Sequence, residues 1–456
     1  MNQSIGNKAI YDVRKENLSA GKIVILGIQH VFAMFGATVL VPLLTGLPVS
    51  TTLLWAGLGT LLFHFISKWK VPAFLGSSFA FLAGYAAIAP NQEPELLRYA
   101  CLGVACAGLV YFILAILFKI FGADKVMKFF PPVVTGPIII AIGLNLSVSA
   151  ISNCSTNWIP ALVAIVVIIA CNIWGKGMIK VVPILLGVIA SYLVAIPLGL
   201  VDFTPVKEAA WVGLPIYSDR TVISIFTNGN ADIGLIITAI ITIVPISLAT
   251  MMEHIGDISA ISSTTDQNFI KDPGLHRTLI GDGIATFCAS LFGAPANTTY
   301  GENTGVLTIT KVYDPFIIRI AAGIAILLSF CPKFASIIEV MPASTIGGIS
   351  LVLYGMISAV GVRNIVETKV DFSKSRNVII AALILVLSIG INYSSSGSVG
   401  FSIGSVTVSL SGLAVGSLVG ILLNAVLPDK DYEFKKEEPN TTGVDFEAKQ
   451  GKSIGE

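Results

Sequence analysis

Charge is scarce in this chain. Asp, Glu, Lys and Arg make up 12% of its 456 residues, against roughly 25% in a soluble domain, while 54% are hydrophobic. That balance excludes an ordinary soluble fold and points to a polytopic membrane protein. Catalytic signatures are missing as well: there is no GxSxG, no GxxxxGK[ST], no HExxH and no cysteine nucleophile beside a base. An ATP-driven pump has no support, and a membrane-embedded enzyme would lack its nucleophile or metal set. The six cysteines, Cys101, Cys106, Cys154, Cys171, Cys288 and Cys331, form no CxxC pair and have no histidine at ligand spacing, so they read as packing residues. No metal or cofactor is expected. The first apolar run is too long for a signal peptide and is followed by more spans.

What the chain does contain is apolar length. A span needs about 20 apolar residues, and fourteen candidate runs begin near residues 22, 50, 72, 98, 132, 158, 180, 233, 278, 298, 314, 341, 377 and 405. Lys and Arg bias orientation toward the cytoplasm. With the N-terminus inside and fourteen spans, 23 of the 28 basic residues fall inside, which favours an even span count and two cytoplasmic termini. Arg98, Lys207, Arg220 and Lys333 fall outside. Arg319 lies within a span and is expected to snorkel. His64 and His276 read as interfacial. Residues 428–456, rich in Lys, Glu and Asp, read as a disordered tail.

The two halves echo each other. Gln29-His30 has a counterpart in Glu253-His254; Gly76-Ser-Ser-Phe79 in Asn297-Thr-Thr-Tyr300; and Pro132-x-x-Thr135 in Pro342-x-x-Thr345. Phe79 follows His30 by 49 residues and Tyr300 follows His254 by 46, so the matches keep both order and spacing. Seven spans per half is an odd number, so the copies must face opposite ways, as in inverted-repeat transporters. The expected fold is all-α and polytopic: 14 transmembrane segments as two inverted 7-span repeats. Spans 3 and 10 are broken by Gly, Ser, Thr and Pro, and the extended stretches before them, residues 71–78 and 294–299, could pair as short strands.

Acids mark the candidate site. Glu302 sits in the Gly- and Thr-rich break 297–305 between two apolar runs, where a charge costs at least about 2.5 kcal/mol and therefore needs a function. Glu253 and Asp257 are four residues apart on the eighth span and share a helix face. Ionised carboxylates crowded in low dielectric repel one another, so at least one is expected to carry a proton near neutral pH. That is a proton-coupling device; a sodium site uses the same residue types. Phe79 and Tyr300 are placed to flank a flat ligand, and Gln29 and His30 to brace the site. His254 reads as a packing residue, and Asp282 as an acid whose partner the sequence does not name. A channel would need a continuous polar stripe, and these acids are discrete.

The segment Glu302-Asn-Thr-Gly-Val-Leu-Thr-Ile-Thr-Lys311 resembles the E/Q-N-x-G-x4-T-R/K signature of the nucleobase-ascorbate transporter family. Ala33-Met-Phe-Gly-Ala-Thr-Val-Leu-Val-Pro42, Gly76-Ser-Ser-Phe-Ala-Phe81 and Asp272-Pro-Gly-Leu-His-Arg277 are similar to the uracil permeases within it, and the resemblance spans roughly residues 20–428. It implies a core domain of spans 1–4 (residues 22–120) and 8–11 (233–332), and a gate domain of spans 5–7 (121–202) and 12–14 (333–427). Residues 1–21 and 428–456 would be cytoplasmic tails and 203–232 an extracellular loop. Transport would follow an elevator-like movement of core against gate. Glu253 and Glu302 would accept hydrogen bonds from the ring N–H groups of uracil, with backbone amides near Phe79, Gly301 and Tyr300 serving its carbonyls and Ala33 lining the pocket. Glu253, Asp257 and Glu302 would handle the proton, supported by Gln29, His30, Asn303, Ser78 and Thr299.

The resemblance thus implies a uracil–proton symporter of the cell membrane. Its partners would be uracil, protons and the lipid bilayer, with no nucleic acid and with a homodimer compatible with the family. A xanthine or other purine-base symporter, or a sodium-coupled version, is the alternative; Glu302 stands where purine members often carry Gln. One departure matters: Asp257 replaces a histidine that some uracil members carry, so a histidine-based relay is not implied for this chain.

Overall fold

Proline and glycine decide where the apolar runs become helices. In the computed structural model, residues 9–428 are described except 127, 129, 130, 228–230, 404 and 405, together with 432–434 and 446–448. The helices are α1 (Ala20–Thr45), α2 (Val49–Ile66), α3 (Leu82–Ile88), α4 (Pro94–Phe121), α5 (Pro132–Ser155), α6 (Trp158–Trp174), α7 (Pro183–Ala195), α8 (Ile233–Ile243), α9 (Ser247–Thr265), α10 (Leu275–Leu291), α11 (Gly301–Thr310), α12 (Pro315–Ser329), α13 (Pro332–Glu339), α14 (Ala343–Glu367), α15 (Ser375–Asn392) and α16 (Gly412–Val426). Five of them, α4, α5, α7, α12 and α13, open on proline, which fits the first helical position because its missing N–H has no partner there anyway.

Among the described residues, seven helical stretches are long and apolar enough to cross a bilayer, counting α8 and α9 as one run of 33 residues, or eight if the bent pair α12–α13 is one span. The chain is a mostly helical, multi-pass membrane protein. The remaining candidate runs are shortened by breaks: α12 turns through 86° into α13, and α3 and α11 are short because strands precede them. The run expected near residue 405 also differs. Strand Ser398–Ile403 pairs antiparallel with Val406–Ser411 before α16 starts at Gly412, because the alternating Val-Thr-Val-Ser-Leu-Ser stretch has the two-residue period of a strand.

A second, buried strand pair lies among the helices. β1 (Leu75–Ser77) and β2 (Asn297–Thr299) pair antiparallel in the register Leu75 with Thr299, Gly76 with Thr298 and Ser77 with Asn297. Flanking bonds from Ser78 N–H to Ala296 O (2.8 Å) and from Tyr300 N–H to Phe74 O (3.0 Å) extend the pairing. Non-helical backbone at this depth requires cover by protein, and all six strand residues are buried. Leu75 N–H also bonds Thr60 Oγ1 (2.9 Å), and Asn297 Nδ2 bonds Trp55 O (2.8 Å), so α2 clamps both strands. His64, expected at an interface, is wholly buried with Nε2 2.9 Å from Ala73 O; the extended stretch before β1 needs that partner.

Two packing groups surround the crossing. In one, α4 lies against α10, α2 against α10 and α12, and α1 against α12; in the other, α5 lies along α14, α14 along α6, α6 along α7, and α15 against α5 and α16. Glycine permits the closest approach: a Cβ at Gly108 would stand 2.8 Å from Gly283 O, and one at Gly283 2.7 Å from Gly108 O, the small-residue contact that membrane helices use in place of hydrophobic drive. Outward, Leu109, Ile113, Ile116 and Ile120 of α4 form an exposed apolar stripe suited to lipid.

The segment before α1 is held against the body. Ile10 N–H bonds Lys311 O (2.8 Å), Tyr313 N–H bonds Ile10 O (2.7 Å), Val13 N–H bonds Asp314 Oδ2 (2.9 Å), and Tyr11 Oη donates to Thr265 O (2.9 Å). Residues 10–18 are therefore docked rather than a free tail, because Ile10 and Val13 bury themselves with Val312 and Ile317. In the C-terminal tail, residues 432–434 pair with 446–448, and residues 435–445 and 449–456 lie outside the described ones. Lys70 Nζ donates to Asp272 in the loop between α9 and α10, which holds the Asp272 carboxyl below its ordinary range, and Arg277 Nη1 bonds Ile66 O at 3.2 Å. Arg319 does not simply snorkel; its guanidinium stacks over Trp69 (5.2 Å) and Phe316 (5.5 Å), a cation–π contact.

Candidate functional site

The site is built where α9 and the β2–α11 turn meet. α9 carries Glu253 and Asp257 one turn apart, and α11 starts at Gly301 with Glu302 in its first turn. A carboxylate there benefits from the unpaired amides and positive dipole end of the helix. Glu253, Asp257 and Glu302 are each partly buried, beside exposed Gly256 and Gly301. They act on one another electrostatically: Glu253 feels Glu302, and Asp257 feels both. Like charges within electrostatic reach of one another and half-buried are held together only by sharing protons or by donors from outside the trio. An added Cβ at Gly301 would lie 3.4 Å from Asp257 Oδ1, so the turn that positions Glu302 also touches Asp257.

The supporting residues gather at the same place. Thr299 Oγ1 donates to Asp257 Oδ2 at 2.9 Å. Asn303 Nδ2 lies 3.1 Å from both His30 O and His30 Nδ1, tying α11 to α1, and Ala33 is buried one turn further along α1. Gln29 Oε1, Ser78 Oγ and Asn303 Oδ1 are buried without hydrogen-bond partners among the described residues. Each such atom costs on the order of 1–3 kcal/mol unless something satisfies it. No group of three or more His, Cys, Asp or Glu among the described residues is arranged to hold a metal.

Three sequence expectations change. Tyr300 does not flank a ligand: it is 4% exposed, and its Oη donates to Ser77 O (2.9 Å) while accepting from Thr38 Oγ1 (3.2 Å), so its ring locks the strand crossing from below. Its N–H is already given to Phe74 O, which removes it from the expected amide donors and leaves Gly301 at the head of α11. Phe79, by contrast, is partly exposed and meets Tyr354 of α14 edge-on at 6.1 Å. Finally, His254 and Asp282, read as a packing residue and an acid without a nameable partner, face each other at 3.4 Å with both side chains fully buried. Twenty-eight residues separate them, and no local signal links them.

The crossing makes Gly76 a sensitive position. A Cβ there would stand 2.5 Å from the Tyr300 ring and 2.7 Å from Thr38 Oγ1, both pinned by hydrogen bonds. Gly76→Ala is expected to cost about 1–3 kcal/mol by overpacking and to lower the thermal unfolding midpoint in detergent; an unchanged midpoint would show that the crossing has slack.

A cavity of about 380 Å³ lies elsewhere, lined by Pro42, Gly46, Pro48, Tyr217, Arg220 and Glu339. Pro42 is about 18 Å along α1 from His30 at 1.5 Å per residue. The acids outrank it as the site, because crowded carboxylates at broken backbone need a function whereas an open corner between helix ends does not.

The chain matches known proteins over most of its length. The model of a family described as "Permease family" (Xan_ur_permease) matches residues 21–396. The chain is 40% identical over 435 residues to the uracil permease of Bacillus caldolyticus, covering 93% of this chain and 96% of that protein. It is 39% identical over 419 residues to the uracil permease of Bacillus subtilis (strain 168), covering 89% and 92%. Among solved structures, the transmembrane domain of a cyanobacterium bicarbonate transporter superposes with a TM-score of 0.59 at 14% identity, covering 91% of this chain and 99% of that one; at that identity the likeness concerns the fold.

Proposed function

The chain belongs to the Permease family of xanthine and uracil carriers, a permease and not an enzyme, and from that premise we propose that it imports uracil through the cell membrane together with protons, by an elevator-like movement of a core domain against a gate domain. The observation that carries this reading is the carboxylate trio Glu253, Asp257 and Glu302 at the head of α11, beside the β1–β2 crossing. Uracil offers alternating N–H donors and C=O acceptors. Ionised Glu253 and Glu302 complement the donors, and the Gly301 amide complements a carbonyl. Phe79 supplies the apolar face. Protons neutralise the surplus charge that three acids would otherwise hold in one cleft.

The mechanism has structural support in the duplication. The matched quartets contribute the paired strands, and Pro132 and Pro342 stand at the starts of α5 and α14, which lie along each other. Antiparallel pairing of two equivalent segments is the geometry expected of inverted repeats. This supports fourteen spans, a core of residues 22–120 and 233–332, a gate of 121–202 and 333–427, and cytoplasmic termini.

Uptake into proteoliposomes, with pH and sodium varied separately and unlabelled bases as competitors, tests the reading. An imposed inward proton gradient is expected to drive labelled uracil uptake without sodium, and xanthine is expected not to compete. Strict sodium dependence would replace the proton as coupling ion, and equal competition by xanthine would move the substrate to purines.

A further inference from the structure

Behind the substrate acids lies a second polar chain that the proposed function does not use. His254 follows Glu253 on α9 but faces away from the cleft, toward Asp282 of α10; both side chains are fully buried. His254 Nδ1 stands 3.4 Å from Asp282 Oδ2 and 3.3 Å from Thr299 Oγ1, and the Thr299 hydroxyl donates to Asp257 Oδ2 at 2.9 Å. The contacts thus run from Asp282 through His254 and Thr299 to Asp257, each within 3.4 Å. Neither oxygen of the Asp282 carboxyl, nor His254 Nε2, has a hydrogen-bond partner among the described residues, so the 3.4 Å approach of His254 to Asp282 is a close contact and not a hydrogen bond; no Lys or Arg forms an ion pair with Asp282 among them. A buried carboxylate without a cation is tolerated when a proton sits on it or beside it.

The surroundings contain no better proton partner. Tyr111 of α4 is within electrostatic reach of Asp282, but its Oη is bonded to Thr250 Oγ1 at 2.6 Å. From α2, Phe63 presents its ring to His254 at 6.1 Å, and His64 is bonded to Ala73 O. Glu253 and Asp257 act on Asp282 from α9, and Glu302 of α11 acts on Asp257. Tyr300, which follows Thr299, spends its hydroxyl on Ser77 O.

Resting on the uracil–proton reading, we propose that Thr299 and His254 hand a proton between Asp257 and Asp282, so that Asp282 stores the coupling proton away from the substrate. As Asp257 gives its proton to Thr299 Oγ1, the Thr299 hydroxyl proton passes to His254 Nδ1, and the imidazolium then gives that proton to the Asp282 carboxylate. The net change is one proton moved from Asp257 to Asp282, with threonine and histidine restored. A Thr299 hydroxyl donating to ionised Asp257 is the arrangement after that transfer, and a protonated Asp257 donating to Thr299 across the same 2.9 Å is the one before it. The gain is a division of labour: the acids facing the ring stay ionised to accept its N–H groups while the proton is still carried. Asp282, His254 and Thr299 are positioning and relay residues; none touches the ring.

The test uses the full-length protein in proteoliposomes and compares uracil–uracil exchange, which needs no net proton movement, with uptake driven by a pH gradient. Asp282→Asn is expected to keep exchange within threefold of wild type while gradient-driven uptake falls at least tenfold and loses its pH dependence. Should that variant fold poorly, the ratio of driven uptake to exchange in Thr299→Val, which keeps the side-chain shape, is expected to fall as far, and Thr299→Ser to restore it. Wild-type pH dependence in Asp282→Asn or Thr299→Val, or equal loss of exchange and driven uptake in both, would overturn the hand-off. A wild-type protein that exchanges no uracil would overturn the uracil reading itself, and the hand-off with it.

Discussion

Glu302→Gln is expected to weaken uracil binding by about 10- to 100-fold, read by titration of labelled uracil onto purified protein. A hydrogen bond to a charged group contributes roughly 1.5–3 kcal/mol, and each 1.4 kcal/mol is a factor of ten. The substitution preserves shape but lets an amide donor face the N–H donor of the ring. It also removes the negative charge from the first turn of α11, where the helix end favours an anion. Glu253→Gln should act in the same direction. The two together should fall short of the sum of the single effects, because Glu253 and Glu302 already disfavour each other's ionised form. Wild-type affinity in Glu302→Gln would refute the carboxylate site.

The second large effect concerns movement. α1 belongs to the proposed core and α7 to the proposed gate, and a Cβ built at Gly36 lies 3.2 Å from Ile184 Cβ, close to the roughly 3.5–4.5 Å of a disulfide. In the double variant Gly36→Cys, Ile184→Cys, oxidation is expected to reduce uracil uptake to background and reduction to restore it, while uracil binding persists. Each single variant controls for the six native cysteines, all of them free thiols. Uptake that continues in fully cross-linked protein would exclude sliding of α1 past α7 and with it the elevator.

Much of this site could be read from the chain alone, and the reasons are local. Glu302 declared itself by standing in a polar break between apolar runs, Glu253 and Asp257 by their four-residue spacing on an apolar helix, and the family by a contiguous signature. The strand-forming stretches were visible as Pro-Ala-rich extended segments before matched quartets, and they do pair. Tyr300 was misread because its role depends on Thr38 and Ser77, more than 220 residues away in sequence. The docking of residues 10–18, expected only as part of a tail of residues 1–21, was not legible because their apolar partners, Val312 and Ile317, lie far down the chain.

Sequence by itself determined that the chain is a multi-pass membrane protein of a permease family and that it carries acids beside interrupted apolar runs, since hydropathy, spacing and motif are properties of neighbouring residues. Tertiary structure alone decided which polar groups meet: that His254 faces Asp282, that Thr299 bridges to Asp257, and that Tyr300 serves the strand crossing rather than a ligand. Electrostatics and hydrogen bonding in a low-dielectric interior act over a few ångströms of space, and only the folded chain fixes those distances between segments that the sequence holds far apart.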